Sequence, residues 1–241
     1  MIFISILLFV FGLVFGSFFS ALSWRYPKNI SVAKGRSFCP KCKRQIVWYD
    51  NIPLFSYIFL GGKCRNCKKH ISWRYPIIEL ATAIGFCLVG LNIFNLIIFS
   101  ILEIIFIIDF ENKIIPDDFV FLGFVLVILH TIYFIPSDIF SSLFAGFLGA
   151  SLLLLIHLIT RGRGMGLGDV KFAVLGGMVV GLHLTLIWLF LAFLTGAFVG
   201  IILILSRKAG LKDQIAFGPF LIFSIWLTSI FGDKLLSLFF L

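Results

Sequence analysis

The chain has 241 residues, of which 61% are hydrophobic and 13% are charged, and its formal net charge is +9. Soluble domains carry about 45–50% apolar and about 25% charged residues. The composition therefore excludes a soluble globule, a disordered chain and a fibrous repeat. It predicts an all-α polytopic membrane protein, because helices satisfy their own backbone polar groups inside a bilayer.

Apolar runs predict eight transmembrane helices in chain order. The first run carries no charge before Arg25, whereas a signal peptide has positive charge ahead of its apolar stretch. It is therefore expected to remain as a membrane helix with its N-terminus outside. The second and third runs, and the sixth and seventh, are weakly separated, so seven helices is the alternative. The predicted helices cover about 2–23, 77–92, 95–110, 118–135, 139–159, 170–182, 184–205 and 217–239.

Basic residues are concentrated in alternate loops. Twelve of the 20 Lys and Arg residues lie between Arg25 and Arg74, while the loops near Asn92, Asp138 and Gly181 hold none. This asymmetry indicates that the basic loops face the cytoplasm and contact anionic lipid, with both termini outside. No nucleic-acid partner is expected. The remaining basic loops contain Lys113, Arg161, Arg163, Arg207, Lys208 and Lys212.

Three segments are predicted: a first transmembrane helix over 1–24, a cytoplasmic loop domain over 25–76 and a transmembrane core over 77–241. The loop domain holds two CxxC pairs separated by 21 residues, Cys39 with Cys42 and Cys64 with Cys67. Such pairs can place four thiolates around Zn²⁺. A four-cysteine site has no open coordination position, so its expected role is structural. Unmetallated thiols and a redox pair are the alternatives.

Aromatic residues flank this loop and are expected to anchor it at the membrane interface. They are Trp48, Tyr49, Trp73 and Tyr75. The four histidines fit no ligand spacing, and packing or interfacial positions are expected for His70, His130, His157 and His183. No internal repeat is apparent.

Carboxylates beside membrane helices are costly, and each is a functional candidate. Asp109 lies near the C-terminal end of a predicted helix, where an anion is unfavourable. Asp169 follows Gly164-Met165-Gly166-Leu167-Gly168 at the start of another helix, where an ordinary N-cap is the alternative. Pro116 is expected to start the helix between them, with Asp117 and Asp118 in its first turn. The other candidates are Glu79, Glu103 and Glu111.

Two carboxylates on the cytoplasmic ends of different helices can form a catalytic pair. Like charges held close together cannot both ionise, so the two groups share a proton. The charged group then takes a proton from water, and the neutral group donates one to the scissile amide. Peptide hydrolysis needs both roles at once.

At this point the sequence resembles the type IV prepilin peptidases, which belong to the intramembrane aspartyl proteases with a Gly-x-Gly-Asp motif. The resemblance runs along most of the chain, and its ordered set of motifs is specific. The matching segments are Gly16-Ser17-Phe18, Arg25-Tyr26-Pro27, Arg36-Ser37-Phe38-Cys39-Pro40-Lys41-Cys42, Asp50-Asn51-Ile52-Pro53-Leu54-Phe55-Ser56-Tyr57, Cys64-Arg65-Asn66-Cys67, Ile71-Ser72-Trp73-Arg74-Tyr75-Pro76 with Glu79, Asp109 with Pro116-Asp117, Gly164 to Lys171, and Phe217-Gly218-Pro219.

The resemblance implies an eight-helix endopeptidase of the bacterial inner membrane, with its active site facing the cytoplasm. It implies Asp109 and Asp169 as the catalytic pair, supported by Gly166, Gly168 and Lys171. Asp117 and Asp118 are the lower-ranked partners for Asp169. The implied substrates are prepilins and pseudopilins, which are cut after a glycine between a basic leader and an apolar helix.

Many members of the family also methylate the new N-terminal residue with S-adenosylmethionine, and the four-cysteine loop resembles that of the bifunctional members. No cofactor-binding residue is indicated here, so a peptidase without methylation is the alternative. A proton-coupled transporter and a non-catalytic zinc-ribbon scaffold are two further alternatives. Lys171, Arg161 and Arg163 are expected to be ordinary cytoplasmic charges, with a role beside the pair as the alternative. The sequence does not indicate an oligomeric state.

Overall fold

The computed structural model describes residues 2–31, 37–208, 210 and 215–239; Arg36 and Lys212, considered above, lie outside these ranges. The described residues contain helices but no strand, only two isolated bridges. Each of the eight predicted helices is found with ends within three residues of those predicted, and the short α2 is additional. The helices are α1 (Ile2–Arg25), α2 (Phe55–Phe59), α3 (Arg74–Val89), α4 (Ile93–Asn112), α5 (Asp117–Phe134), α6 (Ile139–Ile159), α7 (Leu167–Val180), α8 (Thr185–Leu205) and α9 (Gly218–Phe239).

Six of these helices are long and apolar enough to cross a membrane: α1, α4, α5, α6, α8 and α9. At 16 residues, α3 is shorter than the roughly 20 residues of a typical span, and α7 has only 14. The all-α membrane fold is therefore confirmed, whereas the count of eight crossings is not.

The chain divides into two compact units, Met1–Ile104 and Ile105–Leu241, and the division in the sequence falls within α4. The division predicted from the sequence, with boundaries at residues 24 and 76, stays a prediction.

In the first unit, α1 packs closely against α3 through glycines one turn apart. A Cβ at Gly12 would lie 2.5 Å from the Cα of Ala83, and one at Gly16 would lie 2.7 Å from the Cα of Glu79. Small residues allow this close approach, which drives helix association in a membrane, where apolar surface alone gives little preference. The contact ties the start of the chain to the helix that follows the cysteine loop.

In the second unit, Trp188 of α8 joins α7 to α9. Its side chain is fully buried, and its indole Nε1 donates to the carbonyl oxygen of Leu221 at 2.8 Å. A Cβ at Gly176 of α7 would lie 2.5 Å from the Trp188 ring. Gly177 lies similarly close to Ala145 of α6. These contacts fix α7, the helix that begins with the Gly-x-Gly-Asp motif.

Candidate active site and metal centre

Asp109 lies in the last turn of α4, three residues before the helix ends at Asn112. The residue is only 4% exposed, and its Oδ2 has no hydrogen-bond partner among the described residues. The backbone N–H of Gly218, the first residue of α9, donates to the carboxyl group. A Cβ at Gly218 would lie 2.5 Å from Asp109 Oδ2, so the missing side chain makes room for the acid.

Asp169 is the third residue of α7 and is half-buried. The N-cap of this helix is Gly166, so the alternative in which Asp169 is the N-cap is wrong. Its Oδ2 instead accepts a hydrogen bond from the Gly166 N–H at 3.2 Å, as the third residue does in one half of a capping box. Asp169 lies outside the six candidate spans. Burial raises the pKa of Asp169 to about 6, and the Gly166 N–H opposes that rise.

The structure brings Asp109 and Asp169 together, close enough for their charges to interact. Ile115, in the connection before α5, lies between the glycines beside the two acids. A Cβ at Gly168 would lie 3.2 Å from Ile115 Cβ, and one at Gly218 would lie 3.1 Å from Ile115 Cδ1. The two glycines therefore allow α7 and α9 to approach Ile115 closely, next to the two acids.

Asp117, the lower-ranked partner for Asp169, pairs instead with Lys171. The Lys171 Nζ lies 2.9 Å from Asp117 Oδ1 and 2.8 Å from Oδ2. The two side chains are 56% and 66% exposed, respectively. Pro116 and the two acids after it begin α5 as predicted, with Asp117 and Asp118 exposed in the first turn. The side chain of Lys171 therefore pairs with the first turn of α5 rather than with Asp169.

Two residues near the acids were not recognised from the sequence as parts of the site. Gly218 was noted only within a motif, and His157 only as a packing or interfacial residue. His157 Nδ1 lies 2.7 Å from the carbonyl oxygen of Met165, just before the Gly166 that bonds to Asp169. The sequence contained one feature that could have indicated this contact: a histidine at the end of the helix before the glycine-rich loop.

Two further acids have partners within the first unit. Glu79 accepts a hydrogen bond from the backbone N–H of Leu54 at 2.8 Å. Glu103 lies 2.7 Å from the Thr82 hydroxyl, and its Oε2 has no partner among the described residues. Glu103 lies at the middle of α4, so not every candidate acid lies at a helix end.

The four loop cysteines form one cluster. The sulfurs of Cys39, Cys42, Cys64 and Cys67 all lie within 4.8 Å of one another, and those of Cys39 and Cys67 are 4.0 Å apart. Tetrahedral Zn²⁺ with Zn–S bonds of about 2.3 Å places its ligand sulfurs about 3.8 Å apart. The arrangement fits a single metal ion better than two separate pairs.

The two cysteine turns repeat one another, so the expectation of no internal repeat was wrong. Residues 39–46 and 64–71 share the pattern Cys-x-x-Cys-Lys-(Arg or Lys)-x-Ile. In both turns the first cysteine donates its N–H to the residue five positions later, Arg44 or Lys69, at 2.9 Å. In both, the lysine after the second cysteine has a positive φ, 58° at Lys43 and 57° at Lys68. Two copies of one turn thus supply the four sulfurs.

Two family models match the chain in succession. Residues 10–93 match the bacterial peptidase A24 N-terminal domain, and residues 96–201 match the type IV leader peptidase family. The chain belongs to the type IV leader peptidase family. The second match contains Asp109, Asp169 and Ile115, and the first contains all four clustered cysteines.

Curated relatives cover almost the whole chain. The prepilin leader peptidase/N-methyltransferase of Bacillus subtilis is 34% identical over 96% of both chains. The protein of the same name from Pseudomonas aeruginosa is 31% identical over 93% of this chain and 89% of its own. A type 4 prepilin-like proteins leader peptide-processing enzyme from Escherichia coli is 31% identical over 91% of this chain and 93% of its own. No solved structure gives a significant match.

Proposed function

We propose that this membrane enzyme removes the leader peptide of prepilins and pseudopilins, with Asp109 and Asp169 as its catalytic pair. The observation that carries the proposal is the meeting of these two acids, from α4 and α7, at a site packed around glycines. The names of the curated relatives supply the substrate class. The concentration of basic residues in the loops supports a reaction at the cytoplasmic face of the inner membrane, where a basic leader stays.

Each acid accepts one backbone N–H, and the difference that assigns their roles is the buried Asp109 Oδ2, which has no hydrogen-bond partner among the described residues. Asp169 accepts the Gly166 N–H, a contact that stabilises its carboxylate and suits it to act as the general base. Asp109 is buried with an unpartnered Oδ2 and holds the shared proton as the general acid. Asp169 takes a proton from water as the oxygen attacks the scissile carbonyl carbon, and Asp109 protonates the carbonyl oxygen. Collapse of the intermediate breaks the C–N bond as Asp169 returns its proton to the leaving amine and Asp109 takes back a proton from a hydroxyl group of the intermediate.

Substitution of each acid tests this assignment. The full-length enzyme would be reconstituted in lipid with a prepilin from the same organism, and cleavage would be followed from the mass of the N-terminal product. Asp109→Asn and Asp169→Asn are each expected to lower the rate at least about 100-fold, because each removes one side of the acid–base pair. Asp117→Asn is the matched control and is expected to retain cleavage. Wild-type rates in both pair variants would reject Asp109 and Asp169.

The cysteine cluster would hold Zn²⁺ through Cys39, Cys42, Cys64 and Cys67. With four protein ligands the ion has no open position, so it would fold the loop rather than activate water. A bidentate ion pair between Arg65 and Asp50 further stabilises the loop, with N–O distances of 2.8 Å and 2.7 Å.

The proposal includes N-methylation of the newly exposed N-terminal residue with S-adenosylmethionine as methyl donor. The curated relatives from B. subtilis and P. aeruginosa carry N-methyltransferase in their names, and this chain spans nearly their full length. The test is the mass of the cleaved product with and without added S-adenosylmethionine. We expect the product to gain about 14 Da, one methyl group, only when S-adenosylmethionine is present. The same unmethylated mass in both reactions would show that the enzyme is a peptidase without methylation activity.

A further inference from the structure

The peptide group between Met165 and Gly166 is hydrogen-bonded at both of its polar ends. Its carbonyl oxygen lies 2.7 Å from His157 Nδ1, and its N–H donates to Asp169 Oδ2 at 3.2 Å. One planar group therefore connects a histidine of α6 to an acid of the proposed pair. None of the catalytic steps described above uses this histidine.

The direction of the first bond follows from the chemistry of its partners. A carbonyl oxygen only accepts, so His157 carries a proton on Nδ1 and donates it. Hydrogen bonds in series through a peptide group polarise one another. The bond from His157 thus strengthens the Gly166 N–H as a donor to the Asp169 carboxylate.

The loop is shaped around the histidine. Gly162 donates its N–H to the His157 carbonyl oxygen at 2.8 Å and has a φ of 75°, which other residues rarely adopt. A Cβ at Gly162 would lie 3.2 Å from His157 Cε1, so the chain passes close to the ring. Met165 is 5% exposed, which holds the acceptor carbonyl in place. The contact is therefore part of the loop's folded shape.

We propose that His157 is a positioning residue for Asp169: by fixing the Met165–Gly166 peptide group, it orients the carboxylate toward the substrate water. The proposal rests on the proposed role of Asp169. It predicts that the donor on His157, rather than the size of its ring, determines the rate of the chemical step.

Three substitutions distinguish the loss of the His157 hydrogen-bond donor from a general loss of order in the loop. His157→Phe keeps a ring and removes the donor. His157→Asn keeps a donor nitrogen attached to Cγ, where His157 carries Nδ1. Thr160→Val removes the bond between the Thr160 hydroxyl and the Gly164 N–H, 3.1 Å in the structure, and leaves both bonds of the Met165–Gly166 peptide group.

The measurement is kcat and KM for prepilin cleavage by the full-length variants in lipid. His157→Phe is expected to lower kcat about tenfold, as for the loss of one hydrogen bond between neutral groups, with KM within about twofold. His157→Asn is expected to restore most of kcat, and Thr160→Val to stay near the wild-type rate. A wild-type kcat in His157→Phe would overturn the proposal, as would equal losses in His157→Phe and Thr160→Val.

The Asp169→Asn variant, measured in parallel, keeps the two proposals distinguishable. If it is inactive while His157→Phe is fully active, only the positioning role fails. If Asp169→Asn cleaves at the wild-type rate, the catalytic pair itself is wrong, and the positioning role fails with it.

Discussion

Gly218 has no side chain, and the space this leaves determines where the Asp109 carboxyl group can lie. A Cβ there would be 2.5 Å from Asp109 Oδ2 and 3.1 Å from Ile115 Cδ1, so Gly218→Ala must displace the acid or α9. Displacements of about 1 Å can lower catalytic rates about 100-fold, and we expect a loss of that order in kcat. Gly200→Ala is the control, because the nearest atom to its new Cβ is 3.9 Å away. Equal kcat values in the two variants would contradict the prediction.

Asp169 also predicts the acid limb of the pH profile. Burial raises the pKa of Asp169 to about 6, so the group stays neutral over a wider acidic range than a free aspartate, whose pKa is about 3.9. The base must be ionised to accept a proton from water, so kcat is expected to fall as the pH decreases through about 6. The measurement is kcat from pH 4 to 8, with Asp117→Asn expected to have the same midpoint. A midpoint near 4 would show that burial does not raise the pKa of the catalytic base.

The first turn of α7 shows which parts of an element the sequence could predict. Apolar periodicity placed the helix start at residue 170, but the helix begins at Leu167. Gly166 takes the N-cap and bonds to Asp169, which lies inside the helix rather than before it. The cysteine site could be predicted because each CxxC turn is local. The contacts of Ile115 and Gly218 could not, because they join segments that are distant in the chain.

The geometry of the two cysteine turns predicts that the fold of this loop depends on a bound metal ion. Four sulfurs within 4.8 Å of one another repel as thiolates unless a cation lies among them. We expect about one zinc ion per chain, measured by elemental analysis of the purified enzyme. Removal of the metal by a chelator should expose residues 37–73 to protease, as should Cys64→Ser.

Cys87→Ser is the matched control for the cysteine prediction. Cys87 lies in α3, outside the cluster, and its thiol donates to the carbonyl oxygen of Ser5 at 3.4 Å. Its replacement is expected to leave the metal content and the protease pattern of the loop unchanged. Full metal retention in Cys64→Ser would contradict a four-sulfur site.

At the scale of the whole molecule, the short helices α3 and α7 decide which side of the membrane each loop faces. If α3 and α7 cross together with the six candidate spans, the basic loops lie on one side, in agreement with the positive-inside rule. If only the six candidate spans cross, the loops at Lys113 and Arg163 move to the side opposite the cysteine loop. Short helices can still cross where the bilayer thins locally, and the charge pattern favours eight crossings.

Reporter fusions test this topology directly. Alkaline phosphatase, active only outside, and green fluorescent protein, fluorescent inside, would be fused after Lys113, Asp138 and Arg163. Eight crossings predict fluorescence at Lys113 and Arg163 and phosphatase activity at Asp138, whereas six crossings predict the reverse at all three. Fusions after Arg207 report the cytoplasm in both cases and serve as the control for expression. The reverse pattern would place the Asp109–Asp169 site outside, away from the basic leader that it is proposed to cut.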